Sequence, residues 1–212
     1  MRNNLRNKSI GLIAAAAFLA SVGVTPAVAD AAKPGQSMTH IKTASGILST
    51  LESAGVIIYV QGGATAAVMG ESIGSSDGQM VLHIPITGTK TGVEHVGSNI
   101  VFFNTANNKQ VQLKNPLIDL KKGVVTAGIP QADSQSMAAL TITNASELKA
   151  KVTNDRKTKL RTTAYSGAKL SLAPGIAAAL TSLLGLPEGS LPEGLAFASA
   201  DVSLYSKVTG KK

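Results

Sequence analysis

Val93 to Leu120, VEHVGSNIVFFNTANNKQVQLKNPLIDL, gathers most of the residues whose types suit chemistry. Glu94 stands beside His95, and Phe102 beside Phe103, in a chain with only four Phe, three Tyr and no Trp. Two readings fit: the wall of a ligand pocket, or the buried side of a sheet. A carboxylate and an imidazole do acid–base work only when the side chains meet. Neighbours on a strand point to opposite faces, so Glu94 and His95 are not expected to pair. His95 reads as a turn or strand-start histidine whose ring nitrogens make local hydrogen bonds. Phe102 and Phe103 also point apart. One enters the core; the other meets solvent, a second layer or a ligand, and a sheet covered on both sides would bury both.

Elsewhere the chemistry is thin. No GxSxG elbow occurs, no glycine-rich phosphate loop precedes a helix, and acidic residues are few and dispersed. His40, His83 and His95 show no metal-ligand spacing. No catalytic residue and no metal ligand is assigned, and the chain is expected not to be an enzyme. The absence of cysteine removes thiol, zinc-ribbon and iron–sulfur chemistry and any disulfide scaffold. Aliphatic burial must hold the fold.

The elements that would position these residues begin after an export signal. Residues 1–29 carry Arg2, Arg6 and Lys8, then an apolar run from Ile10 to about Val24, then Ala27-Val28-Ala29. Cleavage is expected between Ala29 and Asp30. The run is shorter than the ~20 residues that span a bilayer, so the mature chain is expected to have no membrane span. Residues 30–42 read as a flexible N-terminal lead and 43–212 as a single β-rich domain. Losing three basic residues takes the net charge of +8 to about +5. That balance suits a cell wall or another anionic surface polymer. It is too diffuse for nucleic acid, which calls for a basic stripe with stacking aromatics.

Thr43–Gly55 predicts a short helix with Ile47, Leu48 and Leu51 on one face, and Pro174–Leu184 a better one carrying Ile176, Leu180, Leu183 and Leu184. Between them lie short runs with strand character. VIIYV, MVLHIPITG, NIVFF, QVQL, LIDL, VVTAGI, AALTITNA and AKLSL are separated by brief turns, and LAFASADVSLYSKV closes the chain. Leu82, Ile84 and Ile86 share one side of their strand, and Val111, Leu113, Ile118 and Leu120 are expected inside. Pro85 favours an edge or a bulge. Gln131–Met137 reads as a polar loop. Lys149–Arg161 reads as an exposed hairpin turning at Asn154-Asp155, its charges a solvated face. The fold class is mainly β (α+β), an antiparallel two-layer β-sandwich with two short helices.

Gly97, Ile100, Phe102 and Phe103, then Leu113, Asn115 and Pro116, then Gly123, Val125 and Ala127, followed late by an alanine- and leucine-rich helix, form an ordered pattern. It resembles the haem-transport-associated domain family and related secreted bacterial β-rich proteins over roughly residues 44–205. The resemblance implies haem bound at the cell surface, with a tyrosine on the iron supported by a histidine. A phenolate suits ferric iron. The family's early tyrosine segment corresponds here to ILSTLESAGV, which has no tyrosine, and Asn104 stands where the family's histidine follows its strand. Tyr59 and His95 are the nearest substitutes, with His83 and Phe102 completing the tentative haem set.

The primary expectation is a secreted or cell-wall-associated, non-enzymatic binding or structural protein without a resident cofactor. The runner-up is a haem-binding surface protein of iron acquisition, using Tyr59 with His95 or His83. A secreted hydrolase ranks last.

Overall fold

The structure, a computed structural model, describes residues 36–69 and 78–208. The segment read as an export signal, its expected cleavage pair Ala29–Asp30 and most of the SIGSSDGQ turn lie outside the described residues. Those described are mainly β. Strands β1 (Met38–Thr43), β2 (Val56–Gly62), β3 (Thr65–Met69), β4 (Gln79–Pro85), β5 (Val93–Glu94) and β6 (Ser98–Asn104) form the first half. Strands β7 (Gln110–Asp119), β8 (Val124–Ile129), β9 (Ser134–Ile142), β10 (Lys151–Asp155), β11 (Leu160–Leu172) and β12 (Ala196–Lys207) form the second. Helix α1 (Ile47–Ser53) follows β1, and α2 (Ile176–Leu184) separates β11 from β12.

All strand pairs are antiparallel, in one sheet ordered β2-β6-β7-β8-β9-β11-β12-β1-β4-β3, with β10 hung on β11 and β5 on β7. β2 and β3 occupy opposite ends of that order, yet only Gly63 and Ala64 separate them in sequence. So short a link forces the sheet to roll until its ends meet at one corner. The mainly β, antiparallel architecture with two short helices is therefore present, but its two layers are opposite walls of one nearly barrel-shaped sheet. Phe102 on β6 and Phe197 on β12 meet across the interior, ring centroids 5.9 Å apart.

Alternation fills that interior. Met80, Leu82 and Ile84 of β4 point in, as do Ile100 and Phe102 of β6, and Val111, Leu113 and Ile118 of β7. Leu120 is only half-buried. Both helices lie at one end. Ile47, Leu48 and Leu51 of α1 and Ile176, Leu180 and Leu184 of α2 are buried there, and Leu183 packs at the margin. The α2 amides of Gly175 and Ala178 donate to the Glu193 carboxylate, and Gly185 ends the helix in a left-handed conformation.

Several local readings shift. The segment read as a flexible lead enters the sheet at Met38, and β1 lies between β12 and β4. Thr39, Ile41 and Thr43 face the core, and backbone pairing on both sides fixes them. QVQL and LIDL form one strand, because Asn115 takes φ 49° in a bulge that redirects β7 without ending it. The loop expected over 131–137 is a 3-10 turn at Pro130–Ala132 followed at once by β9. The hairpin of β10 and β11 forms, but its turn lies at Arg156–Lys159, where Lys159 takes φ 54°. Pro85 ends β4 beyond the reach of β3, opposite Met38 on β1.

Candidate functional site

His95 lies inside the rolled sheet at the corner between β5 and β6, 1% exposed. Both ring nitrogens are engaged. Nδ1 lies 2.9 Å from the Pro116 carbonyl oxygen and Nε2 lies 2.8 Å from the Thr39 hydroxyl. A carbonyl only accepts, so Nδ1 carries the proton, Nε2 holds the lone pair, and the Thr39 hydroxyl donates to it. The Asn115-Pro116 bulge aims that carbonyl, and the Asn115 side chain accepts the Gly97 amide at 2.8 Å. The bonds expected to be local in sequence are thus tertiary. Burial holds the imidazole below its ordinary pKa, opposed by the Pro116 hydrogen bond. The remaining wall is apolar: a void of about 20 Å³ lined by Ile84, Ile100, Leu113 and Leu140 lies beside the ring, room for about one water.

Glu94 faces away from His95, as expected. Its carboxylate accepts the Thr91 amide at 3.1 Å and the Thr91 hydroxyl at 2.8 Å. These bonds, the hydroxyl's first, lower its pKa and shape the loop before β5.

The tentative haem set does not converge. Phe102 is in the core with His95, whereas Tyr59 and His83 sit on the outer face of the sheet. Tyr59 lies across from Val101, and its hydroxyl donates to Gln110 Oε1 at 3.0 Å. His83 lies opposite His40 on β1, the rings edge to face at 4.6 Å. Burial, then the neighbouring His40, lowers the His83 pKa. Its Nδ1 is buried without a hydrogen-bond partner. Phe103 is half-buried on the outer face. Asn104, at the place of the family's histidine, serves the fold instead. Its amide nitrogen donates to the Leu184 carbonyl at 3.0 Å and holds the end of α2.

Comparison with known proteins yields no relative. No family model, no curated protein and no solved structure matches the chain.

What stands out chemically is the end of the rolled sheet opposite the helices. β6 runs toward the helices and β7 away from them, so the turn after Asp119 lies at the far end, where β11 begins and β12 finishes. Residues 149–159 are all exposed, and β10 contributes no core residue. Lys151, Arg156, Lys157, Lys159 and Arg161 crowd this hairpin, with Asp155 the only carboxylate between them. Asp155 accepts the Lys157 and Thr158 amides and has its pKa lowered, first by Thr158. The hairpin tip is tied to the end of β12 by Val208 N–H donating to the Lys159 carbonyl at 2.9 Å, which brings Lys207 alongside. The ion pair of Lys122 with Asp119, 3.6 Å, is the only one among the described residues. Sequence reasoning saw these cations as a solvated face; their gathering with Lys207 and the 119–122 turn depends on strand pairings that no local pattern encodes.

Proposed function

We propose that this chain is a non-enzymatic binding or structural protein of the cell exterior, held to an anionic surface polymer through the end that carries the β10–β11 hairpin. The observation that supports this reading is the crowding of exposed Lys151, Arg156, Lys157, Lys159 and Arg161 on that hairpin with Asp155 the only carboxylate between them. Like charges within a Debye length of about 8 Å repel one another at physiological salt. Ordering an exposed hairpin also costs backbone entropy that no core burial offsets. A polyanion relieves the repulsion and releases its own counter-ions, so binding is favoured and salt-sensitive.

The haem reading has less to stand on. Its proposed donors lie on different faces, with the tyrosine hydroxyl and both nitrogens of His95 already hydrogen-bonded.

Retention on purified cell wall tests the proposal. The mature protein is expected to remain bound at low salt and to elute as salt is raised through about 0.15 M. Recovery of all the protein in the low-salt wash would overturn it.

A further inference from the structure

At the cationic end, the inner face of the sheet continues past the core as an open groove. Tyr165 on β11 and Leu204 on β12, both half-buried, form its floor with Leu120. One wall is the loop before β5, carrying Lys90; the other is the 119–122 turn, carrying Lys121 and Lys122. Carboxylates fix both walls. Glu94 holds the first through Thr91, and Asp119 accepts the Lys121 and Lys122 amides at 3.1 and 3.0 Å. Lys90 and Lys121 stand at the rim with no ion pair among the described residues, and Lys122 is 78% exposed there although its ammonium lies 3.6 Å from the Asp119 carboxylate. The register extends the floor outward. Val202 faces the core and pairs with Tyr165, so Thr163 and Arg161 follow on the same side, opposite Leu204 and Ser206. Successive residues on one side are about 6.8 Å apart. The Tyr165 hydroxyl makes no hydrogen bond among the described residues.

We infer that this groove is the binding site for an acidic glycan chain, with a sugar ring lying on Tyr165 and its anionic groups met by Lys90, Lys121, Lys122 and Arg161. The inference rests on the proposal that the protein binds an anionic surface polymer, and it specifies where and of what kind. One face of a pyranose ring presents C–H groups, which pack on the negative face of an aromatic ring. Its hydroxyls need polar partners, and the Tyr165 hydroxyl is uncommitted. An apolar floor with convergent polar and charged groups at the rim matches an amphiphilic, anionic chain. A polymer recognised by charge alone has no use for the floor. A nucleic acid strand would call for a row of stacking aromatics, and Tyr165 is the only aromatic lining the groove.

The test uses the mature protein and four probes: polygalacturonate, polyglutamate with the same carboxylates but no sugar, neutral dextran, and single-stranded DNA. Polygalacturonate is expected to bind several-fold more tightly than polyglutamate or DNA, and dextran weakly. Replacing Lys90, Lys121 and Lys122 by Ser together is expected to weaken polygalacturonate binding about tenfold or more and to lower its salt dependence. Replacing Arg156 and Lys157 by Ser and Lys159 by Asn removes the same charge outside the groove and is expected to weaken polygalacturonate and polyglutamate alike, by less than the groove variant does, and to leave the preference between them intact. Tyr165→Leu, confirmed as folded by its thermal melt, is expected to abolish the preference over polyglutamate, and Tyr165→Phe to keep most of it. Equal binding of polygalacturonate and polyglutamate, tighter binding of DNA, or equal losses from the groove and tip variants would overturn the inference. If the groove variant still holds purified cell wall as the unmodified protein does, the inference fails and the wider proposal stands. If the unmodified protein fails to hold cell wall, the wider proposal fails with it.

Discussion

The Thr39 hydroxyl donates a 2.8 Å hydrogen bond to Nε2 of His95, joining the first strand to a corner 56 residues away inside the rolled sheet. Neither residue meets solvent, at 0% and 1% exposure. Removing the hydroxyl leaves the imidazole lone pair buried without a donor, which costs about 1–3 kcal/mol. Thr39→Val is therefore expected to lower the urea midpoint by that stability, although it keeps shape and strand propensity. Thr39→Ser keeps the donor and is expected to lose less. Equal stability of the Val variant and the unmodified chain would contradict the bond.

The same histidine makes stability pH-dependent. Burial lowers the pKa of His95, and burial together with His40 lowers that of His83, both from an ordinary value of 6.5. In the unfolded chain both take up a proton near 6.5; in the folded chain they do so only at lower pH. The unfolded state thus binds more protons below 6.5, and stability falls as pH falls from there. Glu94, Asp119 and Asp155 have lowered pKa values and add their own loss further down, from their ordinary values of 4.5, 3.8 and 3.8. Urea midpoints are expected to fall between pH 7.5 and about 5.5, a range above these carboxylates. His83→Gln is expected to shallow that fall. A midpoint constant across the range would refute the assignment.

The alternation of apolar residues made β4, β6 and β7 legible, because period-two patterning is a local property. It correctly placed Val111, Leu113 and Ile118 inside and grouped Leu82 and Ile84 on one side, which is the buried one. Leu120, also expected inside, is only half-buried, and both helices followed from their apolar stripes and terminal glycines. Closure of the sheet was not legible. It depends on β1 sliding between β12 and β4, and MTHIKT carries too few apolar residues beside a Pro-Gly segment to signal a central strand. The candidate site suffered the same limit. His95 was visible as a residue, but its partners Thr39 and Pro116 lie 56 and 21 residues away. The groove needs Tyr165, Leu120 and Lys90 from three separate segments.

Gly62 is expected to tolerate no side chain. It sits at the corner where β2 turns toward β3 with φ +74°, and an added methyl would overlap the Gly97 carbonyl oxygen. That oxygen also accepts the Gly63 amide at 3.1 Å, so it cannot retreat without breaking the link between the two ends of the sheet. Gly62→Ala is expected to destabilise by more than about 1 kcal/mol. Gly97→Ala has φ +83° but open space around the site, so backbone conformation alone sets its cost. A larger loss in chemical denaturation for Gly62→Ala than for Gly97→Ala would confirm that the overlap matters.

Deleting β1 should separate a tether from a structural strand. Met38–Thr43 pairs with Ser203–Ala198 on one side, and Met38–Lys42 with Pro85–Val81 on the other. Without it, β12 and β4 would each expose an unpaired edge, the rolled sheet would split, and His95 would lose Thr39. Thr43 would also no longer accept the Met80 amide, now 2.8 Å from its hydroxyl. Each ladder hydrogen bond lost on the two sides costs about 1 kcal/mol, and Met38 and Ile41 would leave the core, so the summed loss reaches the ~5–15 kcal/mol that holds an ordinary domain together. A chain beginning at Gln36 is therefore expected to melt cooperatively at the temperature of one beginning at Asp30, and one beginning at Ala44 to show no cooperative transition. Cooperative melting of the shorter chain would mean that the sheet closes without its first strand.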